Sequence, residues 1–354
     1  MKILIAGLGG IGQRHARNLR ALLGDTVELL AWRVRGLFRV VTPALGIDTS
    51  RDVEREYGIR SFGELHSALA EKPDMAFITN PSSLHVTTAL ACVRAGCDVF
   101  LEKPLADRLD SVEVLADEAE KLRRVAMVGF QLRFHPCFRL LQKVVTSGEL
   151  GRILAVRATV GEYLPGWHTY EDYRESYAAR SDLGGGVVLS QIHEFDYLYA
   201  LFGPARTVYA LGGHRSRLEV DVEDVASTLM EHRVDGRPVA VHLHQDYLQR
   251  PASRGCEVIG DHGKAVMDLR ALTFTHYDAD GRIAATQSFD GYDRNQLFLD
   301  EIGHFLSCVS TRSKPIVDLR DGIWSLRMAL AAKQSMATRG VVEVTADEYA
   351  TSRC

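Results

Sequence analysis

The sequence predicts an α/β protein of two domains. An N-terminal doubly wound parallel sheet is followed by an α/β domain with a large, open, mainly antiparallel sheet. Three observations predict it. Short apolar runs alternate with amphipathic stretches through the first third of the chain. A glycine-rich turn, Gly7-Leu8-Gly9-Gly10-Ile11-Gly12, joins the first run to the first amphipathic stretch. Beyond about residue 150 the extended runs lengthen, and one of them alternates with a period of two. Strand–helix alternation is the pattern of a parallel sheet covered on both faces, and period two that of a sheet covered on one. A length of 354 residues exceeds one typical core. The boundary is placed between 1–125 and 126–354.

In chain order, Lys2–Ala6 reads as a buried strand and Gly10–Leu23 as a helix. Further strands are expected at Val27–Trp32, Asp74–Thr79, Asp98–Leu101 and Val125–Gly129, with helices at Ser82–Ala95 and Arg108–Arg123. The second domain should carry strands at Arg152–Glu162, Arg206–Gly212, Asp224–Val234, Pro238–Leu248, Glu257–Gly260 and Lys264–Leu269. In Pro238–Leu248, Val239, Val241 and Leu243 alternate with His242 and His244, so one face is covered and one is available. Helices are expected at Gly186–Leu201, Asn295–Ser310 and Gly322–Thr338.

Composition narrows the function class. Hydrophobic residues make up 46% and charged residues 25%, with a net charge of -4, the balance of an ordinary globular protein. No basic stripe points to nucleic acid. The first residues are not expected to act as a signal peptide, and no apolar stretch is long enough to span a membrane. Cys92, Cys97, Cys137, Cys256, Cys308 and Cys354 lack metal-ligand or framework spacing and are expected to be reduced, in a cytoplasmic protein. His242 and His244 share a strand face but have no third ligand nearby, so no metal site is expected.

The glycine turn is a G-x-G-x-x-G that follows a strand and opens a helix, the signature of a Rossmann dinucleotide site. Gly7 allows the tight turn, Gly9 lets a pyrophosphate approach the backbone, and Gly12 allows close helix–strand packing. Gly10 and Ile11 begin the helix whose free N–H groups face the phosphates. A ribose 2′-hydroxyl would call for Asp or Glu at the end of the second strand. That place reads Trp32-Arg33-Val34-Arg35, with no acid. Arg33 and Arg35 are candidates for a 2′-phosphate, which favours NADP, with NAD possible. They could instead be solvated loop charges.

Phe100-Leu101-Glu102-Lys103-Pro104, together with the glycine turn and Thr79-Asn80-Pro81 and His85, resembles the Gfo/Idh/MocA oxidoreductase family. The resemblance continues through Gly129–Pro136, then Gly184-Gly185-Gly186 to His193, and ends near Lys314-Pro315. It implies hydride transfer between a nicotinamide dinucleotide and a sugar, nucleotide-linked sugar or cyclitol. It also implies that the open sheet mediates oligomerisation, as a homodimer or homotetramer. By the same resemblance Lys103 is catalytic, His193 is the acid/base, and Thr79, Asn80, Pro81, His85, Glu102 and Lys103 line the cofactor site. The chemistry fits: Lys103 follows a strand's carboxyl end, where an ammonium can polarise a carbonyl or stabilise an alkoxide, and histidine exchanges protons near neutrality.

One position departs from the family pattern. Many members carry Asp where this chain has Ser190. On a single helix, offsets of three and four would put Ser190, His193, Glu194 and Tyr197 on one polar face. Either His193 works with Lys103 alone, or Glu194 or Asp196 substitutes for the missing acid. The stretch Tyr163–Tyr177 is aromatic and polar: Tyr163, Trp167, His168, Tyr170, Tyr173 and Tyr177 are candidates for stacking on a sugar face or a nucleobase, and Arg174 or Arg180 for holding phosphate. The stretch could equally be a loop packed over the second domain. Arg133 and His135 are further candidates for the substrate pocket. Asp293-Arg294-Asn295 could contribute to it or simply cap a helix. The sequence resembles a subgroup associated with bacterial sugar and nucleotide-sugar pathways. The alternatives are a cyclitol dehydrogenase and, given Ser190, a dinucleotide-dependent binding or regulatory protein that has lost turnover.

Overall fold

The computed structural model describes residues 1–36 and 38–345; Cys354 lies outside them. The chain divides into two compact units. The first comprises Met1–Gln131, Pro165–Gly184 and Asp293–Ile323, and the second Leu132–Leu164, Gly185–Tyr292 and Trp324 onward. Composition does not mark the two returns of the chain to the first unit.

The first unit begins β1 (Lys2–Ala6), α1 (Gly10–Leu23), β2 (Glu28–Trp32), β3 (Val40–Val41), β4 (Ile47–Asp48), α2 (Val53–Tyr57), β5 (Ile59–Phe62) and α3 (Leu65–Ala70). It continues β6 (Met75–Ile78), α4 (His85–Arg94), β7 (Asp98–Glu102), α5 (Val112–Lys121) and β8 (Ala126–Gly129). Six of these strands form one sheet in the order β5-β2-β1-β6-β7-β8. Every pairing in it is parallel. Strand order therefore reverses between β1 and β6, the place where ligands bind in such sheets, outside the strands' carboxyl ends. Ile3, Leu4, Ile5, Phe77 and Phe100 are wholly buried, as strands covered on both faces require. The short α2, β5 and α3 were not legible as elements, because each spans only one or two turns or four residues.

The second unit carries α6 (Pro136–Thr146), β9 (Ile153–Gly161), α7 (Val187–Ser190), α8 (His193–Phe202), β10 (Thr207–Gly213), β11 (Val225–Val234) and β12 (Arg237–Asp246). Then follow β13 (Ser253–Gly260), β14 (Gly263–Asp268), β15 (Thr273–Tyr277) and β16 (Ile283–Ser288). The helices α9 (Arg294–Thr311) and α10 (Leu319–Thr338) precede β17 (Val342–Glu343). Nine strands form a sheet in the order β16-β15-β14-β13-β9-β12-β11-β10-β17. The β12–β9 pairing is parallel, and the others are antiparallel. The period of two is real: Val239, Val241 and Leu243 are buried while His242 and His244 are half-exposed. Helices α6, α7 and α8 pack on the sheet. Among the residues alternating with the buried ones, Leu154, Leu211 and Leu229 remain exposed. The strands β15, β16 and β17 were not anticipated; β16 is exposed along its whole length and so carries no apolar alternation.

Candidate active site

In the first unit the glycine turn has the shape a dinucleotide needs. Gly7 sits at φ +105, and a Cβ there would press on the Asn80 backbone at 3.0 Å. A Cβ on Gly12 would lie 2.0 Å from the Gly7 carbonyl oxygen, whereas one on Gly9 would meet nothing within 4 Å. The turn is thus packed shut behind Gly7 and Gly12 and open at Gly9. The N-cap residue Gly9 offers no capping side chain, and no acid lies in the first turn of α1. Its leading N–H groups are left for an anionic ligand. Thr79, at the end of β6, ties the two central strands together: its hydroxyl donates to the carbonyls of Gly7 (2.7 Å) and Ala6 (3.1 Å). These residues fit the dinucleotide.

Lys103 follows β7 at the same carboxyl edge, and its bond to Pro104 is cis. Two histidines fasten this edge. His85 is buried, with Nδ1 2.8 Å from the Pro104 carbonyl and Nε2 2.8 Å from the Asn80 carbonyl. It therefore bridges the exits of β6 and β7. Burial lowers its pKa, and a neutral ring can donate to one carbonyl only. His15, fully buried on α1, places Nε2 2.6 Å from Glu102 Oε1 and is packed against Phe77 and Phe100. Glu102 Oε2 also accepts the Lys103 N–H at 3.3 Å. His15 belongs to no motif in the sequence. The signal was a polar residue at a core position of α1, beside buried Gly12, Ala16 and Leu19.

At the end of β2 the arrangement differs from two free arginines. Arg33 Nη1 donates to Glu54 Oε1 at 3.1 Å, and Nε and Nη2 donate to the Arg35 carbonyl. Its guanidinium lies 4.8 Å over the Phe38 ring, and its side chain is 8% exposed. Arg35 is exposed. Glu54, in the first turn of α2, was not singled out, because nothing in its spacing connects it to β2.

In the second unit the predicted single helix is two. Helix α7 ends at Ser190, Gln191 leaves helical geometry (φ -104, ψ 39), and α8 begins at His193. The expected polar face of Ser190, His193, Glu194 and Tyr197 does not exist, and all four are buried. Glu194 is chelated by Arg254 at 2.8 and 3.0 Å, and Asp196 by Arg133 at 2.6 and 2.9 Å. Burial pushes both carboxyls above the usual range, while the arginines oppose it. Neither acid is a mobile substitute for an aspartate at position 190, and Arg133 is committed to Asp196. Gly186, at φ +106, opens α7 against Glu223: a Cβ there would lie 2.2 Å from Glu223 Oε1. Lys333 holds that carboxylate at 3.0 and 3.1 Å.

The other candidates divide. His135 caps α6, its Nδ1 accepting the Cys137 N–H at 3.2 Å. Burial, with the charge of Arg254, lowers its pKa to about 4. Tyr163 lies 3.9 Å beneath the Arg250 guanidinium. Arg174 pairs with Asp172 two residues away, a local loop contact. Trp167 is half-buried in the 165–184 segment of the first unit. Asp293 caps α9 by accepting the Asn295 N–H at 2.8 Å. Cys92, Cys97, Cys137, Cys256 and Cys308 are buried free thiols. Among the described residues no helix is long and apolar enough to cross a membrane, and no group of three or more His, Cys, Asp or Glu could hold a metal ion.

Comparison with known proteins identifies the family and the fold. Residues 1–130 match the model of an oxidoreductase family with an NAD-binding Rossmann fold. Residues 138–266 match the GFO/IDH/MocA C-terminal domain. The chain is 25% identical over 351 residues to myo-inositol 2-dehydrogenase of Thermotoga maritima, covering 97% of this chain and 98% of that protein. The fold is shared with the WlbA dehydrogenase of Bordetella pertussis, solved with NADH and UDP-GlcNAcA (TM-score 0.78, 22% identity, 98% and 99% coverage). It is shared also with levoglucosan dehydrogenase, solved with NADH and levoglucosan (TM-score 0.79, 20% identity, 97% and 99% coverage). With both domain models matched in order along one chain, this protein belongs to the Gfo/Idh/MocA family of oxidoreductases.

Proposed function

We propose that the protein moves a hydride between a nicotinamide dinucleotide and a secondary alcohol or ketone of a sugar or nucleotide-linked sugar. Lys103 polarises the substrate oxygen and His193 exchanges its proton. The observation that carries this reading is the position of Glu102-Lys103-Pro104. All six strands of the first sheet are parallel, so Lys103 leaves β7 on the edge where the glycine turn leaves β1. Two strand spacings separate β1 from β7, roughly 10 Å in the sheet plane. That is a distance a dinucleotide crosses at the reversal of strand order. The cofactor, when bound, supplies the hydride acceptor or donor. Lys103 supplies a cation where negative charge develops on the substrate oxygen. His193 takes the hydroxyl proton in oxidation and returns it in reduction. Glu194 and Asp196, each held by an arginine, are not assigned the place of the family's aspartate. The protein is read as cytoplasmic and homo-oligomeric.

NADP is the proposed cofactor form, since no acid follows β2 to repel a 2′-phosphate. The Arg33–Glu54 pair limits that preference and keeps NAD as a second substrate. A cyclitol is the second substrate reading, supported by the near full-length match to an inositol dehydrogenase. Incubating the purified protein with NAD or NADP and a panel of free sugars, cyclitols and UDP-sugars, and following cofactor reduction by absorbance, tests the proposal. Turnover of a sugar or UDP-sugar supports it, turnover of inositols alone moves it to the second reading, and no turnover across the panel counts against it.

A further inference from the structure

Residues 165–184 are not part of the doubly wound sheet, yet they belong to the first compact unit. The segment is pinned at one end, where the Ser82 hydroxyl, just beyond β6, donates to the Leu183 carbonyl at 3.1 Å. Gly184 sits so close that a Cβ would lie 2.3 Å from Ser82 Oγ. Towards its other end the Tyr170 hydroxyl rests on the glycine turn: a Cβ on Gly10 would lie 2.4 Å from it. The segment therefore runs from the exit of β6 to the exit of β1, across the reversal of strand order.

Tyr170 is a donor at neutral pH. Burial, with Glu171 and Tyr177 nearby, pushes its pKa up to about 12, opposed by the charges of Arg39 and Arg14, so the hydroxyl keeps its proton and can donate it. Arg39 is held beside the turn by Gln13, whose side-chain amide donates to the carbonyls of Leu8 and Arg39. The Tyr170 ring is stacked on His168 with centroids 5.3 Å apart, which fixes the direction of the hydroxyl. No other side chain crowds Gly10: the three nearest atoms all belong to Tyr170.

We propose that residues 165–184 form a strap over the dinucleotide and that the Tyr170 hydroxyl donates a hydrogen bond to its pyrophosphate. Tyr170 is a cofactor-positioning residue on this account, its hydroxyl standing beside the α1 N-terminus within reach of phosphate oxygens bound there. The inference rests on the dinucleotide reading of the glycine turn.

The test compares the wild type with Tyr170→Phe, which keeps the stacked ring and removes the donor. Dissociation constants for NADH, NADPH, ADP and adenosine are measured by calorimetry, with melting temperature as the folding control. A hydrogen bond to a charged group predicts about tenfold weaker binding of both dinucleotides and of ADP, with adenosine binding unchanged. Hydrogen exchange in peptides from 165–184 should slow when NADH is added to the wild type. Unchanged NADH and ADP affinities in a folded Tyr170→Phe protein overturn the inference and leave the dinucleotide reading intact. Equal loss for adenosine overturns it too, since the effect would not depend on phosphate. A wild type that binds neither dinucleotide removes both. If the variant does not fold, unchanged exchange in the wild-type strap on NADH binding is enough to reject the proposal.

Discussion

Glu54→Gln should raise affinity for NADP and leave affinity for NAD unchanged. Glu54, to which Arg33 donates at 3.1 Å, competes with a 2′-phosphate for the Arg33 guanidinium. Arg33 is 8% exposed and Glu54 29% exposed, so their pairing contributes up to about 1 kcal/mol. A charged hydrogen bond to the phosphate contributes about 1.5–3 kcal/mol. The difference, about 0.5–3 kcal/mol, corresponds to roughly 2- to 150-fold in favour of NADP for the wild type. Removing the competing carboxylate returns up to about 1 kcal/mol, which strengthens NADP binding by about fivefold. Arg33→Ala should act oppositely and erase most of the ratio. Titration calorimetry at fixed ionic strength gives all the dissociation constants, and salt must be held constant because the pair is screened. An unchanged NADP-to-NAD ratio in Glu54→Gln would refute the reasoning, and so would Arg33→Ala binding NADP as well as the wild type does.

Three further outcomes follow from the same structure. His193→Asn should lower turnover by about 10²–10⁴-fold and flatten its pH dependence near neutrality; a wild-type profile in the variant removes His193 from the proton transfer. The open sheet face, with Leu154, Leu211 and Leu229 exposed, should be covered by a second copy of the chain. Light scattering should give a dimer or tetramer, and Leu229→Glu should shift it toward monomer; a monomeric wild type contradicts this. Burial holds His135 and His232 at about 4 in the folded protein, below the unfolded value of about 6.5. The unfolded chain then binds more protons between those values, so the contribution to stability is intact above about pH 6.5 and lost as pH falls to 4. Melting temperatures should drop across that window, and His232→Gln should drop less steeply; identical slopes would count against it.

Much of the fold was legible because its signals are local. Strand β1, the glycine turn and helix α1 were read with the observed boundaries, since a buried strand, a forced turn and an amphipathic helix each leave a short-range pattern. The alternation in β12 exposed the second sheet in the same way. The break between Ser190 and His193 was not legible: Gln191 and Ile192 are compatible with helix, and both are buried. The clamps Arg133–Asp196 and Arg254–Glu194 join residues about 60 positions apart, so no spacing rule could show that these acids are occupied. Glu54 escaped for the same reason, since it matters through a distant contact with the end of β2. Tyr170 stood out as one of the aromatic residues of Tyr163–Tyr177, but its approach to Gly10 is a contact between distant positions that leaves no pattern. The Glu102-Lys103-Pro104 element was found through its resemblance to the family, because a lone lysine after a strand has no pattern of its own.

The central claim is that Lys103 acts on the reacting oxygen, and Lys103→Met tests it most directly. The measurement is turnover with the best substrate of the panel, alongside the dissociation constant for the reduced cofactor. Loss of one preorganised charge predicts a fall in kcat of roughly two orders of magnitude or more, with cofactor affinity preserved within about threefold. Turnover equal to that of the wild type would contradict the account.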